Sequence, residues 1–132
     1  MLLTDNRGLP LSVTVAAASK AEVHLIESLI NRAVVRPPRP SYLVYDKAAD
    51  CEPLRKRLAR RQLELICPHR RNSKRPKLDG RKLRRYRQRW KIERSIGWLE
   101  TYRRVATRYE RNAELFLGFV QLACLMRVVT KF

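Results

Sequence analysis

Between Leu9 and Cys67 the spacing of apolar residues switches repeatedly between two and about 3.6, which limits what the chain can fold into. "LPLSVTVA" alternates apolar with polar as a half-buried strand does, and the turn residues "DNRG" stand just before it. Met1 to Thr4 then reads as the stump of a preceding strand. "SKAEVHLIESLINRAV" sets Val23, Ile26, Leu29 and Ile30 on one stripe of a helix, with Ser19 placed as its N-cap. The prolines of "RPPRP" end that helix, because proline lacks an N–H and clashes with the preceding turn. A short aromatic and β-branched run, "SYLVYD", finishes on Asp46, and "LELIC" reads as a further strand. Between them Asp50 is placed to cap the helix "CEPLRKRLARRQ". Strand, helix, strand, helix, strand predicts an α/β fold, a sheet with helices on its faces. A length of 132 residues suits one domain with one modest core.

The second half reads differently. A basic loop over 68–80 leads into a long helix over 81–104, and Asn112 caps a last helix over 112–130. The segment Leu115 to Val129 is strongly apolar but contains Gln121 and Arg127. It falls short of the roughly 20 residues that cross a bilayer, so it reads as a core helix and no membrane partner is expected. The opening "MLLTDNRGLP" has neither the basic start nor the long apolar run of a signal peptide. Cys51, Cys67 and Cys124 lie far apart with no C-x-x-C pair, which fits reduced, partly buried thiols of a cytoplasmic protein.

Charge narrows the partner. Thirty Lys and Arg against 12 Asp and Glu leave a net +18, which attracts a polyanion, nucleic acid first among them. From Arg70 to Arg94 there are 13 basic residues and two acidic ones, Asp79 and Glu93. Tyr86, Trp90 and Trp98 are interleaved with these arginines, as in grooves that combine stacking with phosphate contacts. On a helical wheel Tyr86, Arg89, Glu93 and Glu100 share an arc of about 60° beside an apolar stripe of Ile92, Ile96 and Leu99. Gly97, one turn after Glu93, leaves space for a close neighbour. Spacing allows two roles for Glu93: an Arg89 ion pair worth about 0.3–0.5 kcal/mol when exposed, or a metal ligand amid the basic face.

"DKAADCEPLRKRL" (Asp46 to Leu58) and "YRQRWKIERSIGWLETYRRVATRYERN" (Tyr86 to Asn112) resemble the C-terminal part of DDE-type insertion-sequence transposases. The family phrase is a Tyr, an Arg three residues on and a Glu four further, inside "R-x-x-I-E-R" and followed by "R-x-A-T-R-Y". Here these are Tyr86, Arg89, Ile92-Glu93-Arg94 and Ala106-Thr107-Arg108-Tyr109. "GLPLSVTVAAASKAEVHLIESLI" is similar to the family's second hairpin strand and first helix, so the resemblance covers nearly the whole chain. It implies a ribonuclease H-like fold in which three carboxylates hold two Mg²⁺ or Mn²⁺ ions that act on a phosphodiester. Asp46 matches the second Asp and Glu93 the Glu, as metal ligands and catalytic residues. Tyr86 and Arg89, with Lys74, Arg75, Arg85, Arg94, Arg104 and Arg108, are the side chains expected to meet DNA. Residues 1–132 would then be the C-terminal portion of a catalytic domain, a partial ribonuclease H-like fold lacking its first strand.

Departures from the family pattern set further expectations. Glu100 stands seven residues after Glu93, where the family has Lys or Arg, and Ala48 and Ala49 replace a Gly and a Tyr beside Asp46. The family's first Asp lies on a strand upstream of the hairpin, and Asp5 reads instead as a turn former. The chain is accordingly expected to be inactive alone, marginally stable, and completed by an upstream transposase fragment or by self-association. Its DNA partners would be element ends and target, with the bound protein nucleoid-associated. Two alternatives stand beside this reading: a non-catalytic basic DNA-binding remnant that competes with an intact transposase, and an RNA-binding protein.

Overall fold

Asp5 closes the first structural element through its own side chain. Its Oδ1 accepts the N–H groups of Arg7 and Leu9, each at 2.8 Å, and Gly8 adopts φ +85°, a conformation open to glycine. The turn joins β1 (Leu2–Thr4) to β2 (Pro10–Val13) as an antiparallel hairpin in which Leu2 faces Val13 and Leu3 faces Ser12. The computed structural model describes residues 1–35, 38–69, 71 and 77–131. It divides into two compact units, Met1–Arg36 with Trp90–Phe132, and Pro37–Arg89. The mixed α/β class expected from the alternating pattern is present, but the strands among the described residues form two two-stranded sheets.

In the first unit the hairpin is followed by a single 3₁₀ turn, Glu22–His24, and then by α1 (Ile26–Asn31). Ser19 lies in the turn ahead of these elements and caps neither, because the helix starts later than its apolar stripe does. Ile26, Leu29 and Ile30 are the buried face. Leu99 of α4 (Trp90–Glu100) packs with Val120, Ala123 and Cys124 of α6 (Ala113–Val129), and Leu2, Val13, Tyr102, Val105 and Phe116 gather around them. The short α5 (Arg103–Ala106) bridges the two helices. Asn112 caps α6 as expected, accepting the Glu114 N–H at 2.7 Å. The helix expected over Leu115 to Val129 does supply the core, through Val120, Ala123 and Cys124, but only by one face: Leu115, Leu122, Leu125, Met126 and Val129 are exposed. Among the described residues no helix is long and apolar enough to cross a membrane.

The second unit is a β–α–β element. β3 (Ser41–Val44) pairs in parallel with β4 (Leu63–Ile66), Leu43 opposite Leu65 and Val44 opposite Ile66. Between them α2 (Glu52–Arg60) turns Leu54 and Leu58, both fully buried, toward β4, whose Leu63, Leu65 and Ile66 are buried in return. Spacing of four puts Leu54 and Leu58 on one helical face, and alternation sends Glu64 to the opposite, exposed side. The expected helix over 81–104 is divided. α3 (Gly80–Tyr86) and a 3₁₀ turn over Arg87–Arg89 close this unit, while α4, which runs to Glu100, and α5, which follows after a turn, belong to the first.

The hairpin tip meets α4. Ser95, 2% exposed, places Oγ 2.7 Å from the Gly8 carbonyl oxygen and 2.8 Å from that of Lys91, and its single O–H is shared between these two acceptors. A Cβ on Gly8 would lie 2.8 Å from that Oγ and 3.4 Å from the Lys91 oxygen. Gly8→Ala is therefore expected to lose about 2–4 kcal/mol, from the positive φ and the displaced buried hydrogen bond together. Gly97→Ala, with nothing within 4 Å of its added Cβ, is expected to be neutral or to gain up to about 1 kcal/mol in helix propensity. Urea midpoints of the two variants measure the contrast; equal midpoints would show that the hairpin tip is not clamped.

Candidate functional site

Asp46 sits where β3 gives way to a 3₁₀ turn, Lys47–Ala49. Its backbone is still extended (φ −79°, ψ −178°), and its Oδ1 accepts the Ala48 N–H at 2.7 Å. The carboxylate is thus fixed at the C-terminal end of a parallel strand by its own following backbone, and it remains partly accessible. Strand ends of this kind hold ligating groups well, because the ladder beneath them is rigid.

Asp50 differs from its expected role. Cys51 occupies the N-cap position of α2 with no side-chain cap bond, while the Asp50 carboxylate turns to Arg55 and His69. Oδ1 of Asp50 lies 3.0 Å from Arg55 Nη2 and 3.1 Å from His69 Nδ1, with the side chains of Asp50 and Arg55 only 11% and 17% exposed. A guanidinium in this setting draws the carboxylate more strongly than a single backbone N–H does, and the cap is forgone. Arg55 also donates through Nη1 to the Leu65 carbonyl at 2.8 Å and through Nη2 to Cys67 Sγ at 2.8 Å. One side chain thereby ties α2, the end of β4 and the segment after Asp46 together. Arg55 and His69 were not singled out from the sequence; Arg55 follows Asp50 at five residues, outside helical pair spacing, and His69 is 19 residues away.

Cys67 lies beside this cluster, and burial pushes its thiol up to about 11; Arg55 opposes the shift, and Asp50 and Asp46 add to it. Cys124 is also raised, by burial alone. A thiol raised in the folded state stabilises the fold below its ordinary value of 9.0, and that contribution is lost as pH rises through about 11. The corresponding expectation at pH 8 is that iodoacetamide labels the partly exposed Cys51 first and reaches Cys67 and Cys124 only on unfolding. Early labelling of Cys67 in the folded protein, read by peptide mass, would contradict it.

Glu93 stands on the exposed face in the first turn of α4, where the positive end of the helix dipole favours a carboxylate. The buried face of this helix is Ser95 and Leu99, with Ile92 half-buried; Ile96, expected in the apolar stripe, is 42% exposed. Tyr86 and Arg89, both half-buried, precede Trp90 across the 3₁₀ turn, so the shared arc drawn for a continuous α-helix does not carry over. Tyr86 and Arg89 belong to the same unit as Asp46, and Glu93 to the other. Gly97 is exposed and its surroundings are open, with no close neighbour among the described residues. Glu100 is exposed as well.

The arginines expected to meet DNA are engaged in varied ways. Arg85 lies 4.1 Å from the Tyr42 ring centroid and 3.6 Å from Glu64. Arg94 sits between two indoles, 4.7 Å from the Trp90 centroid and 4.8 Å from that of Trp98. Arg104 pairs with Glu110 at 2.8 Å and covers Phe119, while Arg108 donates to the Glu110 and Arg111 carbonyls and covers Phe116. Those last two build the loop ahead of α6 as well as carrying charge. Lys74 and Arg75 lie outside the described residues. Among the described residues, no group of three or more His, Cys, Asp and Glu side chains is arranged to hold a metal ion.

A family model described as the transposase DDE domain matches residues 1–127. A protein of Burkholderia cepacia, named as a transposase for insertion sequence element IS402, is 31% identical over 130 residues. The match covers 93% of this chain and 58% of that relative, so the chain spans less than two thirds of its length. No solved structure matches.

Proposed function

Because this chain belongs to the transposase DDE-domain family, we propose that it forms part of a catalytic domain that cuts and joins DNA strands at the ends of an insertion sequence. The observation that carries the reading is Asp46, clamped at a parallel strand end by the Ala48 N–H at 2.7 Å. Asp46 and Glu93 would be two of three carboxylate ligands, and hard oxygen donors of this kind suit Mg²⁺ or Mn²⁺. Such ions, when bound, polarise the phosphodiester and stabilise the leaving oxygen. The chain's own contribution is to hold two carboxylates on rigid elements and to neutralise the approaching phosphates, Tyr86 and Arg89 among the groups that orient them.

The third carboxylate, in this proposal, comes from a strand outside these 132 residues. The two-stranded sheet of each unit supports it, since among the described residues each sheet keeps open edges at which a further strand can pair. So does the exposed apolar row on α6, which a completed fold would have reason to cover. The test is reconstitution: the chain is mixed with the N-terminal portion of a family relative, and nicking of DNA carrying element ends is followed with and without Mg²⁺. Cleavage that needs both polypeptides and is stopped by EDTA is expected. Binding without cleavage in every such mixture would favour the second reading, a basic DNA-binding competitor, which the net +18 supports equally well.

A further inference from the structure

Trp90, Arg94 and Trp98 follow one another at four-residue steps along the outer side of α4, so they rise in a row and drift by about 40° at each step. Arg94 fills the space between the two rings, and Arg127 lies 3.3 Å from the Trp98 centroid, so the half-buried Trp98 is flanked by two guanidiniums. Trp90, at the other end, is 50% exposed. Next to the row is a cleft of about 250 Å³ lined by Arg7, Leu9, Arg94, Trp98 and Lys131. Three of these five are cationic and none is acidic.

We infer that this row and cleft form a binding site for unpaired, single-stranded DNA, in which one base stacks on Trp90 while the adjoining phosphates lie along Arg94, Arg7 and Lys131. The inference rests on the DNA-processing reading above and adds which form of DNA this face takes. A duplex offers phosphates and groove edges but keeps its base faces covered by neighbouring pairs, so it can satisfy the cations and leaves the indole unused. An unpaired strand satisfies both, since each base has a free face and each linkage a negative charge. The cleft is also smaller than the roughly 300–1,000 Å³ that encloses a drug-sized ligand, which suits one unit of a strand lying across it. Stacking on the indoles holds the planar Arg94 guanidinium in one orientation, with its N–H edge available to a phosphate oxygen.

Trp90 and Trp98 are the two tryptophans of the chain, so intrinsic fluorescence reads the site directly. A 20-nucleotide oligo-dT strand and a 20-base-pair duplex are titrated at one fixed salt concentration into the full chain, Trp90→Leu and Trp90→Phe. The expected result is tighter binding of the single strand, a roughly tenfold loss of that affinity in Trp90→Leu, near-complete retention in Trp90→Phe, and less than about a twofold change for duplex. Trp98 remains as the reporter in both variants. Unchanged single-strand affinity in Trp90→Leu, or equal losses for strand and duplex, would overturn the inference and leave the DNA-processing reading standing. Binding of neither DNA would overturn both.

Discussion

Asp46→Asn and Glu93→Gln are each expected to reduce metal-dependent strand cleavage by the reconstituted protein about 10³-fold or more, with DNA binding retained. Losing a ligand removes several kcal/mol of charge stabilisation from the transition state, and each 1.36 kcal/mol is a tenfold loss in rate. These substitutions isolate that effect. The amide introduced by Asp46→Asn keeps an oxygen able to accept the Ala48 N–H, so the strand end and the 3₁₀ turn persist. Glu93 is exposed, and Gln is its equal in size and helix propensity. Removing one negative charge takes the net charge from +18 to +19, so binding to a polyanion has no electrostatic reason to weaken. Single-turnover cleavage and filter binding on the same preparations separate the two effects. Cleavage within about threefold of the parent in either variant would remove that residue from the ligand set.

Arg55→Ala is expected to destabilise the Asp46 unit by about 2–4 kcal/mol. It deletes the donor shared by Asp50, the Leu65 carbonyl and Cys67 Sγ, and takes the guanidinium away from a carboxylate that is only 11% exposed. The residual solvent contact of both partners places the cost below that of a fully buried pair. Asp50→Asn, which can still accept from Arg55 and His69, is expected to lose about half as much. Urea unfolding followed by far-UV circular dichroism gives both values. If Arg55→Ala costs less than Asp50→Asn, the guanidinium is not what ties the strand ends to α2.

The sequence made some elements plain because their determinants are local. The hairpin turn needs Asp5 and Gly8 within four residues of each other, and the α6 cap needs only Asn112 and the N–H two residues on. Leu54, Leu58, Leu63 and Leu65 declare their buried faces through spacing alone. Other features depend on partners far along the chain. Ser95 is buried in place of Ile96 because its hydroxyl meets a carbonyl 87 residues away, and no local pattern marks a serine for that. Asp50 sits where caps sit, yet Arg55 and His69 claim its carboxylate. The helix over 81–104 looked continuous because Arg, Lys, Gln and Leu are all good helix formers, so propensity gave no sign of the 3₁₀ turn at Arg87–Arg89. For the candidate site, Asp46 and Glu93 are expected from resemblance to the family's motifs, since spacing alone leaves Glu93 as readily an ion-pair partner of Arg89, whereas the cluster around Arg55 is assembled only by the fold.

The clamp between Gly8 and Ser95 acts as an index mark for α4. A helix packed only by greasy contacts can roll or slip by a fraction of a turn at small cost. A buried hydroxyl bonded at 2.7 Å to one particular carbonyl fixes the angular setting instead. Glu93 lies two positions before Ser95, about 200° around the axis, so its outward direction is dictated by the residue held inside. Lengthening the Asp5–Leu9 tip by one residue would reset that heading without touching the helix sequence. The bearing of the acidic group on α4 is thus encoded in a glycine turn more than eighty residues away.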